Sequence, residues 1–194
     1  MFSYKYSILD LEYTSWKGSL KRNWSLSFEQ RHIIQLASIK FVNFKIKNYK
    51  KINKFFSHNK LSNYFQILTK INQRFINDYG KNINNELFDI NNFFNDVRLI
   101  FCIGHDKEIL ELNEKYINKK FKFKDKIIDI RPYLAEKLKI SENEVISSQL
   151  PRLLNIKNNN TPHNALEDVK CVFTSLKYLN DNKIIDLDRF SLKY

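Results

Sequence analysis

Two carboxylates near the start of the chain have a spacing that suits a metal ion. Asp10 and Glu12 lie two residues apart in YKYSILDLE, whose composition predicts a strand over residues 4–12. Side chains two apart share one face of a strand, so the carboxylates lie side by side, with Leu9 and Leu11 on the other face. If that face is buried, a cation must neutralise them, and Mg²⁺ or Mn²⁺ suits hard oxygen ligands. The alternative is a solvated strand end.

A second group stands at the start of a helix predicted over residues 164–179. Asn164 followed by Glu167 has the pattern of a helix N-cap, which places His163 just outside the helix. Asp168 borders the apolar stripe of that helix, where an acid tends to have a partner. A histidine on the preceding loop suits proton transfer because its ordinary pKa lies near neutrality. A surface or capping histidine is the alternative.

A further acid, Asp106, follows an apolar run at residues 97–103 that predicts a buried strand. As the first acid of a helix predicted over residues 106–116, it can also serve only as a favourable charge at a helix start. Each of these acidic signals is weak alone. Along the chain, Asp-x-Glu comes first, Asp106 next and His-x-Ala-x-x-Asp last. Together, in this order, they are a stronger signal than any one of them alone.

The elements that position these residues follow from hydrophobic spacing. Strands are predicted over residues 4–12, 32–47, 52–56, 97–103 and 127–130, the last ended by Pro132, and helices over 61–94 (two or three), 106–116, 133–138, 145–154 and 164–179. Three strands followed by alternating helices and strands predict a mixed α/β sheet flanked by helices. We expect one domain over residues 1–194, with an arm or a last helix over roughly 180–194.

Composition narrows the class of protein. The 194 residues include 33 Lys and Arg and 21 Asp and Glu, a net charge of +12, which favours a polyanionic partner such as nucleic acid. The alternative is that A/T-rich codons enrich Lys, Asn and Ile on a solvated surface. No apolar run is long enough to cross a membrane, and the start of the chain lacks a signal peptide's apolar stretch. Cys102 and Cys171 fit neither a disulfide framework nor a zinc site, so we expect a cytoplasmic protein.

Together the motifs resemble those of the DEDDh 3′–5′ exonucleases. The first motif is Asp10-Leu11-Glu12, the second is Asp106 within IGHDKEIL, and the third runs from His163 to Asp168. The chain is also similar to bacterial exonucleases that resemble the sporulation-pathway inhibitor, in DLEYTSWKGSLKRNW, RHIIQLASIKF, LSNYFQILTKINQRFI, DIRPYL and HNALEDV. This resemblance implies a ribonuclease H-like sheet, with three antiparallel strands followed by parallel ones.

The resemblance also implies a mechanism with two divalent cations, Mg²⁺ or Mn²⁺. Asp10, Glu12 and Asp168 would hold one ion, and Asp10 would bridge to the second. Asp106 would contribute to that second ion, through water, and His163 would take a proton from the attacking water. Four carboxylates around two dications would leave the site near neutral before the phosphate arrives.

One departure from the family concerns a Thr-Gly-Ile stretch near the 3′-terminal nucleotide, which here reads Thr69-Lys70-Ile71. Lys70 in place of glycine would either crowd the terminal sugar or pair with a phosphate, so the substrate preference of relatives does not simply carry over. Relatives also often carry an aromatic residue at the position of Ile103, before the glycine of the second motif.

The loop after the first motif interleaves tryptophans with cations, a composition that suits single-stranded nucleic acid because bases stack on the rings while phosphates meet the charges. The alternative is that both tryptophans pack on the core. The candidate nucleic-acid contacts are Leu11, Thr14, Trp16, Lys17, Lys21, Arg22 and Lys70.

We therefore predict a metal-dependent 3′–5′ exonuclease that acts on single-stranded 3′ ends of DNA or RNA. The alternatives are a nucleic-acid-binding module with little turnover and a trimming subunit active only in a larger complex. The choice between DNA and RNA, the oligomeric state, the pathway and the protein partners stay open at this point.

Overall fold

The computed structural model describes residues 4–42, 44, 49–157 and 162–192. Among them, five strands form one mixed sheet in the order β3-β2-β1-β4-β5. The strands are β1 (Tyr4–Tyr13), β2 (Ile33–Phe41), β3 (Tyr49–Phe55), β4 (Val97–Cys102) and β5 (Ile127–Asp129). The first three pair antiparallel, whereas β4 and β5 add in parallel to β1. This topology confirms the predicted ribonuclease H-like sheet.

Seven α-helices are seen in the described residues. They are α1 (Asn63–Thr69), α2 (Gln73–Tyr79), α3 (Ile83–Phe94), α4 (Asp106–Ile117), α5 (Arg131–Leu138), α6 (Leu150–Leu153) and α7 (Ala165–Asp181). Short 3₁₀ turns cover Lys124–Lys126, Glu142–Glu144, Ser147–Gln149 and Leu187–Leu192. No described helix has the length and apolar character needed to cross a membrane.

The two faces of β1 bury different halves of the core. Tyr6 and Ile8 pack with apolar residues of α5, α6 and α7, while Leu9 and Leu11 pack with those of α3 and α4. Every residue of β2 is buried, because helices cover both faces of the sheet at that strand. The period of two therefore turns alternate β1 side chains towards two helical layers.

Two or three short helices are predicted within residues 61–94; three are present, and each begins at a polar cap. Ser62 Oγ accepts the Phe65 amide, Asn72 Oδ1 accepts the Phe75 amide, and Asn82 Oδ1 accepts the Asn84 amide. These side chains satisfy N–H groups that lack a partner inside the helix. Caps of this kind explain why one apolar pattern breaks into three separate helices.

Three predicted boundaries are wrong. The strand predicted over residues 32–47 ends at Phe41. Phe41 pairs with Tyr49 of the antiparallel strand β3, so the chain must reverse direction between these two residues. Residues 43 and 45–48 lie outside the described residues. In place of the helix predicted over 145–154, the chain forms the 3₁₀ turn Ser147–Gln149 and then the short helix α6. The reason is that Pro151 fits only in the first turn of a helix. Pro132 likewise opens α5 and does not terminate β5.

The described end of the chain packs on the core and does not extend from it as an arm. Ile185 and Leu187 are buried with α7 and α5 residues. The ring of Phe190 lies 5.6 Å from that of Phe101 and 5.1 Å from that of Tyr133, between ring centroids. The tail is mostly polar, and its few apolar residues make these contacts with the core.

Candidate active site

Three acids from two distant parts of the chain meet at the carboxyl end of β1. Asp10 and Glu12 come from β1 and Asp168 from the first turns of α7, and one carboxylate oxygen of each lies within 4.8 Å of the others. Leu9 and Leu11 point into the opposite layer, as the strand period predicts. The structure therefore brings the first and third sequence motifs together.

The first turn of α7 is anchored to the middle of the sheet. Asn164 caps the helix, with Oδ1 accepting the amides of Leu166 at 3.2 Å and Glu167 at 3.4 Å. Gln35 on β2 is fully buried, and its Oε1 accepts the Ala165 amide at 3.1 Å. These bonds fix the direction of α7, so Asp168 faces β1. Sequence reasoning missed Gln35, although a glutamine inside the apolar strand IIQLASIKF was a visible signal.

Asp106 approaches the same strand from α4. β4 runs parallel to β1, so both strands end at the same edge of the sheet, and α4 starts just beyond β4. Gly104 turns the chain there with a φ of +121°, a conformation that side chains rarely adopt. Asp106 Oδ1 accepts the backbone N–H of Leu11 at 3.1 Å, between Asp10 and Glu12. The side chain of Leu11 is buried in the core. The predicted contact of Leu11 with nucleic acid stays a prediction.

Burial of so many carboxyls together raises their pKa values. Desolvation raises the pKa of Asp10 well above its ordinary value, with further increases from the charges of Asp106, Glu12 and Asp168. For Glu12, desolvation and then the charges of Asp168 and Asp106 raise the pKa to about 8. Desolvation also raises the pKa of Asp106 and of Asp168 to about 7 each. Without a cation, the site therefore favours protonated carboxyls near neutral pH.

The donor set fits a divalent cation. Asp168 Oδ1 is buried and has no hydrogen-bond donor among the described residues. A buried carboxylate oxygen without a partner is costly, and buried polar groups are otherwise nearly always paired. Hard oxygen atoms from clustered carboxylates are the ligands that Mg²⁺ and Mn²⁺ prefer.

His163 lines the same cavity as the four acids. The cavity has a volume of about 470 Å³. The backbone N–H of His163 acts to lower the pKa of Asp168, and the φ of His163 is +58°, which is uncommon outside glycine. Desolvation lowers the pKa of His163 below its ordinary value. A neutral imidazole at pH 7 can accept a proton, which is the chemistry predicted for it.

The loop after β1 lines the cavity with residues other than the predicted nucleic-acid contacts. Its cavity-lining residues are Ser15, Ser19, Leu20 and Trp24. The Trp16 ring packs against Phe28 at 5.7 Å between centroids, and Arg22 forms an ion pair with the buried Glu29. Lys17 and Lys21 are exposed. Thr14 is buried and ties the loop ends together, since its Oγ1 accepts the His32 amide and donates to the Gln30 carbonyl. Nucleic-acid contacts by these residues stay a prediction.

Lys70 lies at the C-terminal end of α1 with a φ of +62°, the left-handed conformation that glycine adopts most easily. It is exposed and lines a second cavity of about 480 Å³, next to Asn164 and Glu167 at the start of α7. The chain thus has a left-handed residue within Thr69-Lys70-Ile71, and it places a cationic side chain beside the helix that carries Asp168.

Sequence reasoning also missed Arg131, which lines the cavity of the four acids. Its Nε donates to Asp129 Oδ2 at 2.8 Å, and its Nη2 forms an ion pair with the same oxygen at 2.7 Å. Asp129 Oδ1 accepts the backbone amides of Arg131 at 3.0 Å and Gly104 at 3.3 Å. The segment DIRPYL carried the only signal, an arginine directly after a short apolar strand.

The other residues that line the cavity without having been predicted include Tyr13, Tyr64, Leu68, Ile146, Ser147 and Ser148. Several are apolar or aromatic, so the acids and His163 lie in a partly apolar setting. His105 also lines the cavity, but its ring is exposed and lies 3.3 Å from Glu108.

Solved structures with the same fold are all distant in sequence. The nuclease domain of 3′hExo, a DEDDh family member bound to rAMP, aligns with a TM-score of 0.78 at 16% identity, over 92% of this chain and 93% of that one. A 3′-exonuclease recognising the 3′ end of a histone mRNA stem-loop gives 0.78 at 16% identity, over 94% and 84%. The zinc-bound complex of E. coli ExoI with single-stranded DNA gives 0.65 at 14% identity, over 92% and 40%.

No curated protein sequence matches the chain. The family model RNase_T, described as an exonuclease, matches residues 7–174 and so spans all three acidic motifs. The chain therefore belongs to this exonuclease family, which confirms the resemblance to the DEDDh 3′–5′ exonucleases that its motifs indicate.

Proposed function

We propose that this exonuclease is metal-dependent and removes nucleotides one at a time from the 3′ end of single-stranded DNA or RNA. The observation that carries the proposal is the buried cluster of Asp10, Glu12 and Asp168, in which Asp168 Oδ1 has no donor among the described residues. Such a cluster is poorly suited to stabilising the fold and well suited to binding cations.

Asp10, Glu12 and Asp168 would hold one Mg²⁺ or Mn²⁺ ion, and Asp106 together with Asp10 would hold a second. The two ions would stabilise the charge on the attacking and leaving oxygens of a displacement at phosphorus. The bond from Leu11 N–H to Asp106 keeps that carboxylate next to the strand that carries the other ligands. The folded chain thus preorganises the ligand set.

His163 would act as the general base. A water oxygen bonds to phosphorus, the bond from phosphorus to the 3′ oxygen of the preceding nucleotide breaks, the imidazole accepts the proton of the water, and the leaving 3′ oxygen takes up a proton from solvent. The products are a nucleoside 5′-monophosphate and a strand with a new 3′ hydroxyl. The lowered pKa of His163 supports this role because it keeps the ring neutral near pH 7.

Single-stranded ends suit the cavity because aromatic and apolar residues stand beside the acids. Trp24, Tyr64 and Leu20 line it from the loop after β1 and from α1. Rings of this kind stack on bases without regard to sequence. The similar solved structures include one bound to rAMP, one that recognises a histone mRNA stem-loop and one bound to single-stranded DNA, so both nucleic acids belong in the test.

We also propose that residues 1–194 act as one domain and that the protein works in the cytoplasm. The described core is shared by the sheet and by helices from both halves of the chain, which supports a single unit. Cys102 and Cys171 are both buried and are not joined in a disulfide, which is usual in a reducing compartment.

The test is degradation of a 5′-labelled single strand of DNA and of RNA with Mg²⁺ or Mn²⁺, beside an Asp10→Asn variant. We expect a ladder that shortens from the 3′ end with the wild-type chain, and no ladder with EDTA or with the variant. Intact strands in every reaction, with binding preserved, would contradict the proposal and favour a binding module or a subunit that needs its complex.

A further inference from the structure

We propose that Arg131 binds a backbone phosphate of the substrate strand in the acid cavity and that Asp129 orients it for this contact. The inference rests on the proposed function, since it assigns a residue of this chain to the same substrate.

Arg131 is the one Lys or Arg among the described residues that line the acid cavity. The other ionisable residues there include four carboxylates, Asp10, Glu12, Asp106 and Asp168. A strand that enters the cavity brings further negative charge. Once cations have neutralised the carboxylates, a guanidinium in the wall is the remaining protein group that attracts a phosphate by charge.

The guanidinium is held in one orientation. Its Nε and Nη2 both bind Asp129 Oδ2, at 2.8 and 2.7 Å, and its own backbone amide binds the other oxygen of the same carboxylate at 3.0 Å. Within the described part of the chain, Nη1 has no hydrogen-bond partner. The N–H groups on that side are free to bind a ligand, and a guanidinium fixed in this way loses less entropy on binding.

Asp129 is itself fixed by the acid site. Its Oδ1 accepts the Gly104 amide at 3.3 Å, two residues before Asp106. The charges of Asp129 and Arg131 both act on Asp106, with Asp129 raising its pKa and Arg131 lowering it. Arg131 is thus electrostatically coupled to a proposed metal ligand. A purely structural role, joining the β4–α4 turn to the start of α5, is the competing explanation.

The inference is tested with Arg131→Gln, which removes the charge, and with Arg131→Lys, which keeps it. The matched control is Arg152→Gln, the same chemical change at an exposed arginine of α6 that does not line the cavity. For each protein, kcat/KM on a single-stranded oligonucleotide is measured at several KCl concentrations, with melting temperatures as a check on folding.

If Arg131 contacts a phosphate, Arg131→Gln lowers kcat/KM by about 10-fold to 100-fold, the usual size of a lost hydrogen bond to a charged group. The slope of log kcat/KM against log salt becomes shallower by about 0.7, the contribution of one phosphate contact on a single strand. Arg131→Lys restores the slope, and Arg152→Gln leaves both quantities at the wild-type level.

A slope for Arg131→Gln equal to that of the wild type overturns the inference, even where its activity or melting temperature falls, because Arg131 would then only hold the loops together. A wild-type chain that degrades neither DNA nor RNA overturns the proposed function, and this inference with it. Activity in the wild type with an unchanged slope in Arg131→Gln overturns the inference alone.

Discussion

The two ends of helix α4 carry buried carboxylates with opposite electrostatic situations. Near its C-terminal end, Glu114 accepts the Phe121 amide and the Lys124 ammonium at 2.8 Å each and the Lys120 ammonium at 3.3 Å. Burial acts to raise the pKa of Glu114, but these donors together hold it below its ordinary value. At the N-terminal end, desolvation raises the pKa of Asp106 to about 7 in spite of two backbone hydrogen bonds.

The difference lies in what the chain supplies to each carboxylate. Glu86 and Glu29 follow the pattern of Glu114, since each is buried and pairs with a Lys or Arg. The chain has 33 such cations, yet Arg131 is the one Lys or Arg among the described residues that line the acid cavity, and it is paired with Asp129. Where a buried acid stabilises the fold, the chain provides its counter-charge, whereas we propose that a bound cation supplies it in the acid cavity.

Replacing an acid of the cavity is the strongest way to sharpen this comparison. We expect Asp168→Asn to lower activity on the order of 10⁴-fold, since metal ions contribute several kcal/mol and each 1.36 kcal/mol is tenfold in rate. The same variant should melt at a higher temperature than the wild type in EDTA, because one uncompensated carboxylate is gone. Degradation assays and thermal melts measure the two effects. A lower melting temperature in EDTA would contradict the comparison.

The next largest effect concerns the proton acceptor. We expect His163→Ala to lower kcat by roughly 10²-fold to 10³-fold, the usual contribution of a general base, with Mn²⁺ binding retained. His105→Ala is the matched control, because His105 lines the same cavity but is exposed and paired with Glu108. Steady-state kinetics and Mn²⁺ titration check both variants. Equal losses of kcat in the two variants would contradict the role of His163 as the general base.

The sequence predicted the parts of the site that depend on local spacing. Asp10 and Glu12 share a face because a strand has a period of two, and Asn164 caps α7 as its position predicts. The family resemblance joined these to Asp106 across nearly a hundred residues. Arg131 and Gln35 were not predicted, because their roles depend on which loops and strands meet at one edge of the sheet, and no local pattern records that meeting.

The boundaries of the elements were harder to predict than their existence. The apolar alternation of β2 continues past Phe41 in the sequence, but the turn to β3 stops the strand there. In the loop after β1, Arg22 pairs with Glu29 and the Trp16 ring packs against Phe28. A composition that suits nucleic acid also suits packing between loop residues, so contact of this loop with nucleic acid stays a prediction.

The pH dependence of stability should differ with and without metal. The pKa values of Glu12, Asp106 and Asp168 are raised from 4.5, 3.8 and 3.8 to about 8, 7 and 7. Between roughly pH 4 and pH 8 the folded chain therefore holds more protons than the unfolded one, and stability falls as pH rises through this window. In EDTA we therefore expect the free energy of unfolding, and with it the melting temperature, to fall from pH 5 to pH 8.

Mg²⁺ or Mn²⁺ should flatten that dependence by holding the carboxylates ionised. Burial lowers the pKa values of His32 and His58, which gives a slope of the opposite sign near pH 6. These histidines contribute alike with and without metal, so the difference between the two melting series isolates the acid cavity. Identical pH profiles in EDTA and in Mn²⁺ would show that no cation compensates the four acids.

The smallest expected effect comes from the compensated end of α4. Glu114→Gln keeps an acceptor for the Phe121 amide but removes the charge that Lys124 and Lys120 bind. We expect a loss of about 1 kcal/mol in the free energy of unfolding, because ion pairs with partly exposed lysines contribute little more than that. Urea denaturation measures the loss, and activity should be unchanged.

Asp168→Asn should instead raise stability in EDTA and abolish activity. The same change from acid to amide should therefore change the free energy of unfolding in opposite directions at the two sites. A stabilised or inactive Glu114→Gln variant would mean that the chain does not separate structural from metal-binding carboxylates in this way.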